Sequence, residues 1–338
     1  MSAAEPRMAD LLNAALHGML DADPDLVLLG EDIEDPYGGA FGVTRGLSSR
    51  SPGRVLGTPI SEGAIAGVAG GLALAGDRVI VEVMFGDFVT LCFDPIVNFI
   101  SKSVAMYGRR NPMRVVIRCP IGGNRAYGPT HSQSLQKHFI GVPHLRLYEL
   151  SPLHPPRQAF DEMFRGDEPA IFFEDKVLYG LPTVRDGHAD GLLTIEQLDA
   201  DANWMRAHLD AGRPDWTIIA PGGVAPRALG AMRSALVEEE IVAQLLVPSR
   251  LHPLDLGPVL DLAATGERVM VVEDGVAGGG WAGDVARQLY ESLWGRLRHP
   301  ISVLQPPCAV IPAAPHLERA MLIQELTIHR ALTGAGRA

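Results

Sequence analysis

Short runs of aliphatic and β-branched residues punctuate the chain, and between them apolar residues return at intervals of three or four. Residues 26–30, 79–84, 114–118, 145–148 and 170–173 read as buried strands, since strands covered on both faces lose the polar alternation of exposed ones. Residues 8–20, 90–106 and 156–164 read as helices, and a further helix runs through Phe139. The pattern lapses over 181–214, which reads as a linker with a short helix. It resumes with strands at 216–220, 241–247, 269–273 and 301–304 and a helix at 226–239. Strands alternating with helices mean βαβ units and mostly parallel sheets. The expected fold is α/β with two parallel-sheet domains, residues 1–185 and 214–338, joined by a linker at 186–213.

One stretch stands apart from this rhythm: Gly57-Thr58-Pro59-Ile60-Ser61-Glu62-Gly63. Pro59 disfavours helix at Thr58, and Ser61 is a suitable N-cap. The small residues that follow, from Gly63 to Ala73, read as a buried, closely packed helix. Glu62 then lies in the first turn, where the helix dipole favours negative charge. A dipole-complementing glutamate is the ordinary reading of such a position, and only its neighbours argue for more.

Composition narrows the field. With 338 residues, 47% hydrophobic and 20% charged, the chain can bury two cores. A net charge of −11 is the wrong sign for a nucleic-acid or anionic-membrane surface. Cys92, Cys119 and Cys308 are far apart and form no CxxC, which argues against a disulfide framework or thiolate zinc site and for a reducing compartment. Residues 1–10 carry acidic side chains and no apolar segment, and no run of about 18 apolar residues occurs. A soluble, cytoplasmic protein is expected.

Three further features bear on chemistry. Gly278-Gly279-Gly280-Trp281-Ala282-Gly283 matches GxGxxG, but the acidic residue a dinucleotide site needs after the next strand is missing. A glycine-rich strand-to-helix turn is the better reading. His131 follows a Gly/Pro loop and precedes Ser132, Gln133 and Ser134, an accessible setting for a proton-shuttling imidazole. No metal-ligand spacing surrounds it. Met84 and Phe88 follow a strand; their default role is packing, although an aromatic there can stack on a planar cofactor.

Taken together, Thr58-Pro59-Ile60-Ser61-Glu62-Gly63, Met84-Phe85-Gly86-Asp87-Phe88, Asp94-Pro95-Ile96-Val97-Asn98, His131-Ser132-Gln133-Ser134-Leu135 and Pro169-Ala170-Ile171-Phe172-Phe173-Glu174 closely resemble one family. It comprises the beta subunits of the thiamine-diphosphate-dependent, decarboxylating component of 2-oxo acid dehydrogenase complexes, in the transketolase-like superfamily. The resemblance extends to Val310-Ile311-Pro312-Ala313-Ala314-Pro315-His316-Leu317-Glu318. It implies a transketolase-like pyrimidine-binding domain followed by a transketolase C-terminal-like domain. It implies that Glu62 hydrogen-bonds a ring nitrogen of the aminopyrimidine and promotes the imino form that deprotonates the thiazolium carbon. That carbon adds to the ketone of a 2-oxo acid, which loses carbon dioxide. Phe88 matches the ring-stacking aromatic, Met84 a pyrimidine-pocket residue, and His131 the histidine credited with contacting the substrate and assisting acyl transfer. The resemblance also implies a potassium ion bound by backbone carbonyls near Phe164, Gly166 and Glu168, although Gly166 stands where a liganding aspartate is usual.

The superfamily's magnesium-diphosphate signature, Gly-Asp-Gly followed by paired asparagines, is not present: Asp274-Gly275 has no such pair after it. This implies a separate alpha subunit that holds the diphosphate and Mg2+, in an assembly of two alpha with two beta. The loop from Gly122 to Thr130 and the segment from Val247 to Asp255 depart from the usual pattern. Two acceptors therefore stay open: the lipoyl group of an acyltransferase, or a different acceptor in a two-component carboligase of a specialised pathway. A non-catalytic assembly partner is the third reading.

Overall fold

The computed structural model describes residues 5–182, 184, 188–189, 191–201, 203–210 and 212–334. The chain divides into two compact units. One comprises Met1–Ile121, Phe139–Tyr148 and Pro155–Thr183, the other Gly122–His138, Glu149–His154 and Val184–Ala338. The boundary expected at 185–186 lies outside the described residues.

In the first unit, helix α1 (Met8–Ala22) leads into β1 (Leu26–Gly30). A one-turn helix, α2 (Leu47–Arg50), and β2 (Val55–Gly57) then precede α3 (Glu62–Ala75) and β3 (Arg78–Glu82). The short α4 (Ser101–Ser103), β4 (Val115–Ile121), β5 (Arg146–Glu149), α5 (Pro156–Arg165) and β6 (Ala170–Asp175) follow. The strands lie in the order β5-β6-β4-β3-β1-β2. Pairings β2–β1, β1–β3, β3–β4 and β4–β6 are all parallel, and β3, β4 and β6 are buried along nearly their whole length, as parallel strands usually are.

The second unit contains β7 (His188–Ala189), β8 (Leu193–Gln197), β9 (Trp204–His208), β10 (Trp216–Ile219), α6 (Val224–Glu239), β11 (Ala243–Pro248) and β12 (Arg250–His252). It continues with α7 (Leu260–Thr265), β13 (Arg268–Val272), α8 (Trp281–Leu293), β14 (Ser302–Leu304), α9 (Pro315–Met321) and α10 (Glu325–Thr333). Its sheet runs β14-β13-β10-β11-β9-β8-β7. The first four strands pair parallel, whereas β11–β9, β9–β8 and β8–β7 pair antiparallel. The second sheet is therefore mixed rather than parallel. The stretch read as linker supplies those antiparallel strands, whose half-exposed side chains lack the continuous apolar run of a covered strand.

Two other expectations change. Residues 90–106 do not form one α-helix. A 3₁₀ segment, Gly86–Cys92, is followed by a π-helical turn, Pro95–Ile100, and then α4. Pro95 has no N–H to give to the preceding turn, which breaks the α ladder there. The helix expected through Phe139 is a single 3₁₀ turn, Gln136–His138. No helix among the described residues is long and apolar enough to cross a membrane.

Toward the carboxyl ends of β3 and β6, and midway along β4, an ion cluster lies almost wholly out of water. The Arg118 guanidinium donates from Nε and Nη2 to the two oxygens of Glu174, each at 2.7 Å, and from Nη1 to Glu82 Oε2 at 2.5 Å. The Tyr179 hydroxyl adds a 2.7 Å bond to Glu174. Burial pushes the Glu82 carboxyl above its usual range, against the pull of Arg118. Removing one partner of a buried ion group strands the others in a low dielectric, at a cost of about 3–5 kcal/mol. Arg118→Met is expected to lower unfolding stability by about that amount in urea denaturation. A midpoint unchanged from wild type would show that the cluster does not hold the sheet.

Candidate functional site

Strand β1 ends at Gly30, in register with Gly57 of β2 and Glu82 of β3. Ligand groups in open α/β sheets gather beyond such carboxyl ends, and two carboxylates do so here. Glu31 is the residue after β1. Glu62 opens α3 four residues after Thr58, whose N–H is bound by Gly30 O at 3.0 Å. Ser61 is the N-cap by position, but its hydroxyl caps nothing; its carbonyl instead accepts the Ile65 N–H. Both carboxylates are buried, Glu62 to 8% exposure.

Burial, then the charge of Glu62, pushes the Glu31 carboxyl above its usual range; a hydrogen bond from the Ser61 backbone only partly opposes this. Glu31 Oε1 and Thr58 Oγ1 are buried without a hydrogen-bond partner. Cys92 closes the back of the site: its thiol donates to the Glu62 carbonyl at 3.2 Å. Burial, with the charges of Glu62 and Glu31, raises that thiol to about 12, so it stays protonated. Gly63 is required by close approach, since a Cβ there would stand 3.0 Å from Leu91 O. The 3₁₀ segment thus packs on the first turn of α3, with Phe88 at one end of it. Phe88 and Met84 are half-buried, and the Phe88 ring meets Phe85 edge-on at 6.0 Å.

The expectation of a fully buried α3 does not hold. Ile65, Ala66, Ala69, Gly70 and Ala73 face the core, and Gly70 is pressed against Phe99. The opposite side carries Val68 at 55% exposure and Leu74 at 42%, with open space over Gly67 and Gly71. Small residues here leave an uncovered apolar helix face beside Glu62, adjoined by Ile60 at 83% exposure.

His131 belongs to the second unit, apart from the unit that holds Glu62, Met84 and Phe88. It is half-buried, with Nδ1 3.0 Å from Thr130 Oγ1. The loop before it is clamped from the C-terminal helices. Asn124 and Ala126 hold left-handed backbones, φ 65° and 58°, that non-glycine residues adopt at a cost. The Ala126 N–H donates to Glu318 Oε2 at 2.9 Å, and Gln324 Nε2 donates to Asn124 Oδ1 at 2.9 Å. A Cβ at Gly123 would strike Leu322 at 2.4 Å. Glu31, an acidic residue at the end of a buried strand where ligand groups gather, and Glu318, the last residue of the matching C-terminal stretch, were both visible in the sequence, but neither was given a role there.

The glycine-rich turn before α8 has no free helix N-terminus. Glu273 Oε2 accepts the Ala282 N–H at 3.0 Å, and a Cβ at Gly280 would lie 1.9 Å from Glu273 Oε1. A phosphate would meet that carboxylate, so a dinucleotide does not suit the turn. Asp274 is engaged by Arg227, with Nη1 2.9 Å from Oδ1. Among the described residues no three His, Cys, Asp or Glu side chains converge as metal ligands.

The pyrimidine end of a thiamine cofactor suits the first unit: two buried carboxyl groups, that of Glu31 pushed toward its protonated form, two orphaned buried oxygens and small residues around them can hold a planar, protonatable heterocycle.

Residues 4–182 match the transketolase pyrimidine binding domain and residues 206–328 the transketolase C-terminal domain. The chain is 33% identical over 317 residues to the Cupriavidus necator acetoin:2,6-dichlorophenolindophenol oxidoreductase subunit beta, covering 91% of this chain and 90% of that one. It is 35% identical over 276 residues to the Leifsonia xyli pyruvate dehydrogenase E1 component subunit beta, covering 80% and 78%. A solved structure, "Split gene transketolase, inactive beta4 tetramer", shares the fold with a TM-score of 0.72 at 20% identity, covering 98% of each chain. Two transketolase-type domains in one chain, with close relatives along almost its whole length, place it in the family of thiamine-diphosphate-dependent 2-oxo acid dehydrogenase beta subunits.

Proposed function

We propose that this chain is the beta subunit of an enzyme that decarboxylates a 2-oxo acid with thiamine diphosphate and passes the acyl unit to a lipoyl group carried by an acyltransferase. The observation that carries this reading is the Glu62 carboxylate, buried beside Glu31 beyond the ends of β1 and β2. The pyrimidine-binding domain lies within residues 1–185, and the C-terminal one takes in residues 214–338 together with the antiparallel strands β7, β8 and β9 that precede them.

When bound, the cofactor supplies a thiazolium that stores the electron pair released on decarboxylation. Glu62 would hold the pyrimidine through a hydrogen bond to a ring nitrogen and would be the residue that exchanges a proton with it. Glu31, whose carboxyl is pushed toward its protonated form, limits the negative charge beside Glu62 and keeps the pair from repelling. Phe88 and Met84 would pack against the pyrimidine ring and exclude water from it. His131 contacts the substrate-derived group, held in place by the loop that Glu318 and Gln324 clamp.

The diphosphate and Mg2+ belong to an alpha subunit, in an assembly of two alpha and two beta. Supporting this, Asp274 is committed to Arg227, and the exposed apolar face of α3 adjoins Glu62. The alpha chain covers that face.

In the reconstituted alpha–beta assembly, Glu62→Gln is expected to lower decarboxylation by at least about 10²-fold, the scale of a lost general acid–base group. Calorimetry should show thiamine diphosphate with magnesium binding the assembly and not the isolated beta chain. Unchanged turnover in the variant defeats the assignment of Glu62, and no binding in either sample favours a non-catalytic partner.

The sign of the Glu31 effect also gives a test. A carboxyl whose folded-state affinity for protons is raised contributes most below its unfolded pKa, about 4.3, and that contribution is lost as pH rises through the folded value. Glu31→Gln removes the ionisation and should raise the melting temperature at neutral pH while flattening its decline above pH about 4.3. A variant less stable than wild type at neutral pH would contradict it.

A further inference from the structure

The family resemblance implies a potassium ion among the carbonyls near Phe164, Gly166 and Glu168, and the residues present do not fit one. The carbonyls there already face a cation that the chain supplies. Helix α5 ends at Arg165, so the carbonyls of its last turn have no helical N–H to accept, and they sit at the negative end of the helix dipole. The guanidinium of Arg146, from β5, lies against them. Its Nη2 donates to Met163 O at 2.5 Å and to Glu168 O at 2.8 Å, and its Nη1 to Glu162 O at 3.3 Å. Nη1 also donates to the Tyr148 hydroxyl at 3.3 Å.

We infer that the Arg146 guanidinium takes the place of a bound monovalent cation, locking the end of α5 to the following turn and leaving the fold independent of potassium. Three backbone oxygens and a phenol make the hard-oxygen set that an alkali ion uses, and here each accepts an N–H instead. Arg146 is 7% exposed, so its charge is compensated by these dipoles rather than by water. An ion brought to the same oxygens would have to displace the N–H donors and approach a like charge in a low dielectric.

Gly166 is part of the arrangement. A Cβ there would stand 3.2 Å from Cζ, Nη1 and Nη2, so the missing side chain makes room for the guanidinium plane. The Glu168 carboxylate is drawn off in another direction, to His144 at 3.0 Å and Arg110 at 3.1 Å, and lends no charge to an ion. The inference does not rest on the proposed catalytic activity, because it concerns how the first unit is held together.

Thermal unfolding of the full chain tests it, in potassium, sodium and choline chloride at equal ionic strength. Wild type should melt at the same temperature in all three, and thallium(I), used as a potassium probe in NMR titration, should show no saturable binding. Arg146→Ala should melt several degrees lower in choline and recover part of the loss in potassium. Arg146→Lys, which keeps the charge and loses the fork, should fall between and remains informative should the alanine variant not fold. A potassium-specific rise for wild type overturns the inference, as does an Arg146→Lys chain as stable as wild type, or an Arg146→Ala chain that folds and ignores potassium.

Discussion

A single guanidinium, that of Arg118, ties β4 to its two neighbours near their carboxyl ends. Those strands are buried along nearly their whole length, so the charges they carry must be paired among themselves. By bridging Glu82, the last residue of β3, and Glu174 on β6, Arg118 holds three strands together at that level. Met84, Phe85 and the segment Gly86–Cys92 leave from that level, and the first turn of α3 packs on them. Replacing the whole ion group by packed hydrophobic residues could be as stable, but it would not tie three strands together by directed bonds.

Above that platform the chemistry is a matter of crowding like charges. Burial, and the charge of Glu62 beside it, make Glu31 hold its proton more readily than an exposed carboxyl would. Cys92, pushed far from ionisation by the same charges, serves as a donor that closes the pocket. The pair is brought together by position alone: one residue after a strand, one at the head of a helix.

Much of this was legible in the chain. Pro59, Ser61 and the run of small residues announced a helix beginning at Glu62, and covered strands announced themselves by unbroken apolar runs. What was not legible depended on distance or on mixed signals. The strands β8 and β9 interleave polar and apolar residues in antiparallel pairs and so looked like linker. Pro95 sits inside an apolar helical pattern whose period persists although its hydrogen bonding changes. The small residues of α3 read as core because apolar composition cannot say which face is covered. Arg146 is one charge in a short strand, and only folding brings it to the end of α5.

The clamp on the histidine loop carries a consequence for synthesis. The hydrogen bond that holds Ala126 reaches a side chain 192 residues further along, and the one that holds Asn124 spans 200. Until translation has delivered α9 and the residues after it, nothing exists to impose those left-handed backbones, and the loop is free to relax to ordinary ones. A nascent or C-terminally clipped chain would thus carry every residue of the loop and none of its shape.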